Sequence, residues 1–191
     1  MTTLHRLAAA LAALCLLVSF LAVPVRAQDY PARPVRVIVG FTPGAAADIT
    51  ARVVANRMSQ LLDQRFVVEN RPGAGSSLAA DYVAHAAKDG YTLFIGSSAN
   101  LTNALISPNL GFDFVKDFSP IALAATAPVI LVVHPSLGAG SVQELIALAK
   151  AKPGQILYAS TGVGAAPHLA GELFNARAGI KTVHVPYQGT N

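Results

Sequence analysis

One unit recurs along this chain and limits what it can fold into: a β-branched run, a glycine-rich break, then an amphipathic stretch. Val35-Arg36-Val37-Ile38-Val39 ends in Gly40 and breaks at Pro43-Gly44. A helical pattern follows to about Leu62, with Ala47, Ala51, Val54, Met58 and Leu61 on one stripe. Phe66-Val67-Val68 restarts the unit, with its glycine break at residues 70–75 and a helix over about residues 77–87. Asp89-Gly90 then turns into a third strand, Tyr91-Thr92-Leu93-Phe94-Ile95. Strand, loop, helix, strand is the rhythm of a parallel sheet.

The rhythm lapses over residues 97–120, which predict short helices and loops. Residues 121–133 are apolar but broken at Pro128, and we read them as the segment leaving the first sheet for a second. The unit then resumes. Ser141-Val142-Gln143-Glu144 predicts a capping box and a helix to about Lys150. Ile156-Leu157-Tyr158-Ala159 is a strand, and Thr161-Gly162-Val163-Gly164 leads to a helix with Pro167 in its first turn. Gly179 closes that helix before the strand Thr182-Val183-His184-Val185. Tyr187-Gln188-Gly189 is another strand-to-loop junction with no helix after it, so the expectation is a piece of a longer protein.

The N-terminal segment carries a separate message. His5 and Arg6 precede an uncharged apolar run from Leu7 to Val23, and Val25-Arg26-Ala27 fits an A-x-A-like cleavage site, the pattern of a secretory signal peptide. Removing residues 1–27 from 191 leaves 164, and the leader takes Arg6 and Arg26 with it. The mature balance is then 12 basic against 10 acidic residues, too even to indicate nucleic acid. Cys15 lies inside the leader, so the mature chain has neither disulfide nor cysteine-based metal site.

Enzymatic signatures are missing where they can be searched. No G-x-S-x-G elbow occurs, and His85, His134, His168 and His184 form no zinc-binding pair. Gly162-Val163-Gly164 follows a strand, but Pro167 stands where a dinucleotide fingerprint needs its third glycine. What remains is a set of glycine junctions at strand ends: Pro43-Gly44-Ala45, residues 73–76, and Gly162-Val163-Gly164-Ala165. Ligands of α/β sheets bind at such ends, and helix N-termini favour anions. Two junctions on separate sheets would make a cleft for a small carboxylate. Within it, Asp48 either braces its helix or touches ligand, and Ser97 and Ser98 either cap a helix or donate to a carboxylate. His168, in the first turn of its helix, reads as a neutral imidazole in the cleft wall, and Arg71 as the anchor of its own loop.

The order of these motifs resembles the Bug family, the substrate-binding receptors of tripartite tricarboxylate transporters. The resemblance rests on Tyr30-Pro31-Ala32-Arg33-Pro34-Val35-Arg36, Phe41-Thr42-Pro43-Gly44 with Asp48, and Val68-Glu69-Asn70-Arg71-Pro72-Gly73-Ala74-Gly75. It continues through Asp89-Gly90-Tyr91-Thr92-Leu93, Lys116-Asp117-Phe118, Lys152-Pro153-Gly154-Gln155, His168-Leu169-Ala170-Gly171-Glu172-Leu173-Phe174 and His184-Val185-Pro186-Tyr187. It implies an α/β, periplasmic-binding-protein-like (Venus flytrap) architecture of two Rossmann-like lobes, with the second lobe and the return segment incomplete here. The implied division is a signal peptide at 1–27, a first lobe at 28–125 and part of a second at 126–191.

By position, the resemblance puts the first-lobe site at Phe41, Pro43, Gly44, Ala45, Ala46 and Asp48, with Ser97 and Ser98. The second-lobe site would be Ser160, Thr161, Gly162, Gly164, Ala165 and His168, with Tyr187 nearby. It further implies a periplasmic monomer that captures a small carboxylate and passes it to the membrane subunits of the transporter. No catalysis, cofactor, metal or nucleic acid is implied. A secreted α/β enzyme using the same cleft is the alternative reading, and a non-functional truncated fragment another.

Overall fold

In the computed structural model, β1 (Val35–Val39) lies between β2 (Phe66–Asn70) and β3 (Thr92–Ile95), and all three run parallel. The structure describes residues 29–107 and 110–189. The leader and its cleavage site after Ala27 lie outside the described residues. The β-branched run of β1, interrupted by Arg36, explains its central place, because a middle strand of a parallel sheet is covered on both faces. Val35, Ile38 and Val39 are fully buried, each burial contributing roughly 1.5–3 kcal/mol.

Helix α1 (Ala46–Leu62) covers one face of this sheet, with Ala51 and Ala55 buried against Val35, Val37 and Val39. The expected stripe holds through Ala47, Ala51 and Met58, which lie in or against the core, but fails at its end: Leu61 is 64% exposed, and Ala55 joins the inner face. Small residues win there because they let the helix axis approach the sheet. Helix α2 (Ser77–Ala84) packs with Ala79 and Ala80 buried, and it stops three residues short of the expected end. Helix α3 (Ser98–Ile106) begins at a capping box in which Asn100 accepts the Ser97 N–H.

The second sheet pairs β4 (Leu157–Ser160) with β5 (Val183–Pro186), again in parallel. Helix α4 (Val142–Ala151) precedes it and α5 (Ala166–Ala178) connects the two strands. Ser141 caps α4 by accepting the Glu144 N–H, while the Glu144 carboxylate reaches Gly140 N–H, one residue beyond the expected box partner. Gly179 ends α5 in the left-handed conformation. The apolar segment 121–133, expected to cross between sheets, has no regular secondary structure and joins neither of them, and Ile121, Leu123 and Val132 are about 80% exposed. Apolar sequence alone does not make a strand; it also needs a hydrogen-bonding neighbour.

Candidate functional site

Among the described residues, the C-terminal ends of the five parallel strands point into one region. Residues 40–45 leave β1, 71–76 leave β2, 96–97 leave β3, 161–165 leave β4 and 187–189 leave β5. The loops of the two sheets touch there: the Thr42 N–H donates to the Gln188 carbonyl at 3.3 Å, and Ala165 joins the core cluster of the first sheet. This approach requires glycine. A Cβ on Gly75 would sit 2.8 Å from the Val163 carbonyl oxygen, and one on Gly164 would sit 2.5 Å from Asn103 Oδ1. Both also have positive φ, so a side chain there is strained as well as crowded.

Two spaces open between the loops. The larger, about 440 Å³, has apolar walls from Ile106, Leu110, Val163 and Pro186, with Asn103 and Ser77 among its polar groups. The smaller, about 20 Å³, lies between Gly40, Phe41 and Ser76 on one side and Thr161, Tyr187 and Gln188 on the other. It has room for about one water. Ser76 is 1% exposed, and its Oγ is the buried side-chain polar atom without a hydrogen-bond partner among the described residues. Neither space is lined by lysine or arginine.

The residues singled out from the sequence divide by position. Phe41, Thr161, Gly162 and Tyr187 line these spaces, and Phe41 also belongs to the core cluster. Pro43, Gly44, Ala45, Ala46 and Asp48 stand at the start of α1, beside the spaces rather than in their walls. Asp48 is 2% exposed and is a brace: it accepts from Gly44 N–H at 2.9 Å, Arg52 Nε at 2.9 Å and Asn70 Nδ2 at 2.8 Å. Arg52 above all, helped by Gly44 and Asn70, pulls its carboxyl pKa down to about 2 against the opposing effect of burial. Ser97 caps α3 and Ser98 is exposed at its start. Arg71 pairs with Glu69 and lies over the Tyr82 ring, which holds its own loop.

The second loop is held from beneath by aromatic side chains. Ser160 Oγ accepts the Gly162 N–H at 3.1 Å and lies 2.6 Å from His184 Nε2. His168 Nδ1 accepts the Gly164 N–H at 3.1 Å. The two imidazoles stack at 4.1 Å, and Tyr158 stacks on His184 while its hydroxyl donates to Glu172 at 2.6 Å. Burial, reinforced by the neighbouring His168, lowers the His184 pKa, with Glu172 acting in the opposite direction.

The glycine junction at residues 73–76, which the sequence marks without assigning it to the site, lines these spaces, and so do Asn103 and Gln188, which no sequence motif marks. The run of small residues was the available signal for the first. Asn103 carried none, because its carboxamide gains a role only when α3 lies against the residue 74–77 turn.

Comparison with known proteins bears on this geometry. The family described as "Tripartite tricarboxylate transporter family receptor" matches residues 50–191. Protein BugT of Bordetella pertussis is 40% identical over 172 residues, which are 89% of this chain and 53% of that protein. A Rhodopseudomonas palustris protein solved with adipate is 39% identical with a TM-score of 0.81, over 84% of this chain and 54% of that one. MatC of the same organism, with bound malate, is 32% identical with a TM-score of 0.78, over 84% of this chain and 55% of that one. The chain spans about half the length of the curated relatives it matches.

Proposed function

We propose, because the chain belongs to the tripartite tricarboxylate transporter receptor family, that the cleft between its loops captures a small organic carboxylate. The α/β architecture is that of periplasmic binding proteins. Residues 28–125 contribute the first lobe and residues 126–191 part of the second. Exported and freed of its leader after Ala27, the protein delivers its ligand as a monomer to the membrane subunits of the transporter. Among the described residues no helix is long and apolar enough to cross a membrane.

The observation that carries this reading is the meeting of loop ends from two parallel sheets around a space containing an unpartnered, buried Ser76 hydroxyl. A carboxylate oxygen, or a water bridging to one, satisfies that hydroxyl without a cationic side chain. The apolar walls at Ile106, Leu110 and Val163 suit a methylene chain, so dicarboxylates of intermediate length fit best. An acyl-transfer enzyme is the weaker reading. Ser160, the serine beside a histidine, is buried and its oxygen is engaged by Gly162 N–H, which ties it to the loop rather than to a substrate.

Calorimetry with malate, succinate, glutarate and adipate tests the proposal, with a neutral sugar as control. Binding of a dicarboxylate, weakened at least tenfold in Ser76→Ala, is the expected result. Binding of the sugar alone, or identical affinity in Ser76→Ala, overturns the assignment. N-terminal mass analysis of the exported protein should place the first residue at Gln28.

A further inference from the structure

We propose that His168 is a proton-operated latch on the loop at residues 160–165: the neutral ring holds the loop in shape, and protonation releases it. The consequence for ligand capture rests on the proposed receptor function; the latch itself does not. The direction of one hydrogen bond makes the loop sensitive to protonation. Gly164 N–H donates to His168 Nδ1 at 3.1 Å, and a ring nitrogen accepts only while it carries no proton. A proton on Nδ1 sets two donors face to face and removes the side-chain hydrogen bond that holds the Gly164 N–H.

Among the described residues, the groups around the ring are few. His168 lies in the first turn of α5, at the positive end of the helix dipole, and its ring is stacked 4.1 Å from that of His184. The other titratable groups around the stack are Tyr158 on β4 and Glu172 on α5, which are joined to each other through the phenol hydroxyl. From the first sheet, α3 brings Thr102 and Asn103 against Gly164, and both are uncharged.

His184 does not share this sensitivity. Its Nε2 faces the Ser160 hydroxyl, which can accept as readily as it donates, so a proton there keeps its partner. The two rings look alike but only one of them is bonded to a group that can do nothing except donate. His168 is therefore a positioning residue, acting on a ligand through the backbone of Gly162, Val163 and Gly164.

The test compares the full chain with His168→Asn and His184→Gln between about pH 5 and pH 8. An asparagine carboxamide oxygen can take the place of Nδ1 as acceptor but does not titrate. In the wild-type chain the Gly164 amide resonance should move together with the His168 ring resonances. In His168→Asn it should stay still, and in His184→Gln it should still move. Adipate affinity should fall about tenfold between pH 7.5 and pH 5.5 in the wild type and stay level in His168→Asn.

A stationary Gly164 resonance in the wild type overturns the latch, and that measurement needs no variant to fold. Equal pH dependence in wild type and His168→Asn also overturns it. Failure of every dicarboxylate to bind, with Gly164 still tracking His168, overturns the receptor reading and leaves the latch standing.

Discussion

Replacing Asp48 by asparagine removes the charge that organises the first loop, and the structure sets the size of the effect. The carboxylate is buried at 2% exposure and accepts from Gly44, Arg52 and Asn70. Its pKa falls from 3.8 to about 2, and at about 1.4 kcal/mol per unit this corresponds to about 2 kcal/mol of stability at neutral pH. Adding three separate charge-assisted hydrogen bonds would give more. That sum is too large, because the Arg52 side chain is 53% exposed and its contribution is screened.

The sign follows from proton binding. A carboxyl with a depressed pKa holds fewer protons folded than unfolded, so its stabilisation is present above the ordinary value near 3.8 and is lost as pH falls toward 2. Urea unfolding of wild type and Asp48→Asn at pH 7, 4.5, 3 and 2 should show a gap of about 2 kcal/mol that narrows steadily and closes near the lowest pH. A gap under about 0.5 kcal/mol at pH 7, the size of an ordinary surface change, refutes the reasoning. So does a gap that stays constant down to pH 2, since the charge would then not be its source.

Gly40→Ala should destabilise by about 1–3 kcal/mol in the same assay, because its Cβ would come within 2.8 Å of the Ser76 Cα, which is backbone and cannot swing aside. The Tyr158 phenol, raised by burial and by Glu172, should ionise above the ordinary phenol range, read as the wild type minus Tyr158→Phe difference in absorbance near 295 nm. His184, lowered by burial, contributes stability above the ordinary imidazole range that is lost as pH falls, so His184→Gln should flatten the drop in Tm between pH 7 and pH 5. Val132→Lys should change stability by less than about 0.5 kcal/mol, because Val132 is 81% exposed.

Local sequence determined the elements of this protein well. The β-branched run at Val35–Val39, the Ser141 and Ser97 caps, Pro167 in the first turn of α5 and Gly179 at its end each act within one turn of the chain. The βαβ rhythm likewise sufficed for two parallel sheets with loops gathered at their C-terminal edges. The motif order was enough to indicate the family to which the chain belongs.

Tertiary structure alone decided which loop residues face the cleft and which serve the scaffold. Asp48 and Thr161 both sit at glycine junctions in the sequence, yet only Thr161 reaches the space, because Asp48 is turned inward by Arg52 one turn along its own helix and by Asn70 from the end of β2. Ser76 and Asn103 gained their places the same way, through contacts 24 to 29 residues away along the chain. The unpaired segment 121–133 shows the same limit from the other side. Periodicity and capping are local properties of a chain, whereas a partner across a sheet or a cleft is supplied by residues that no local pattern encodes.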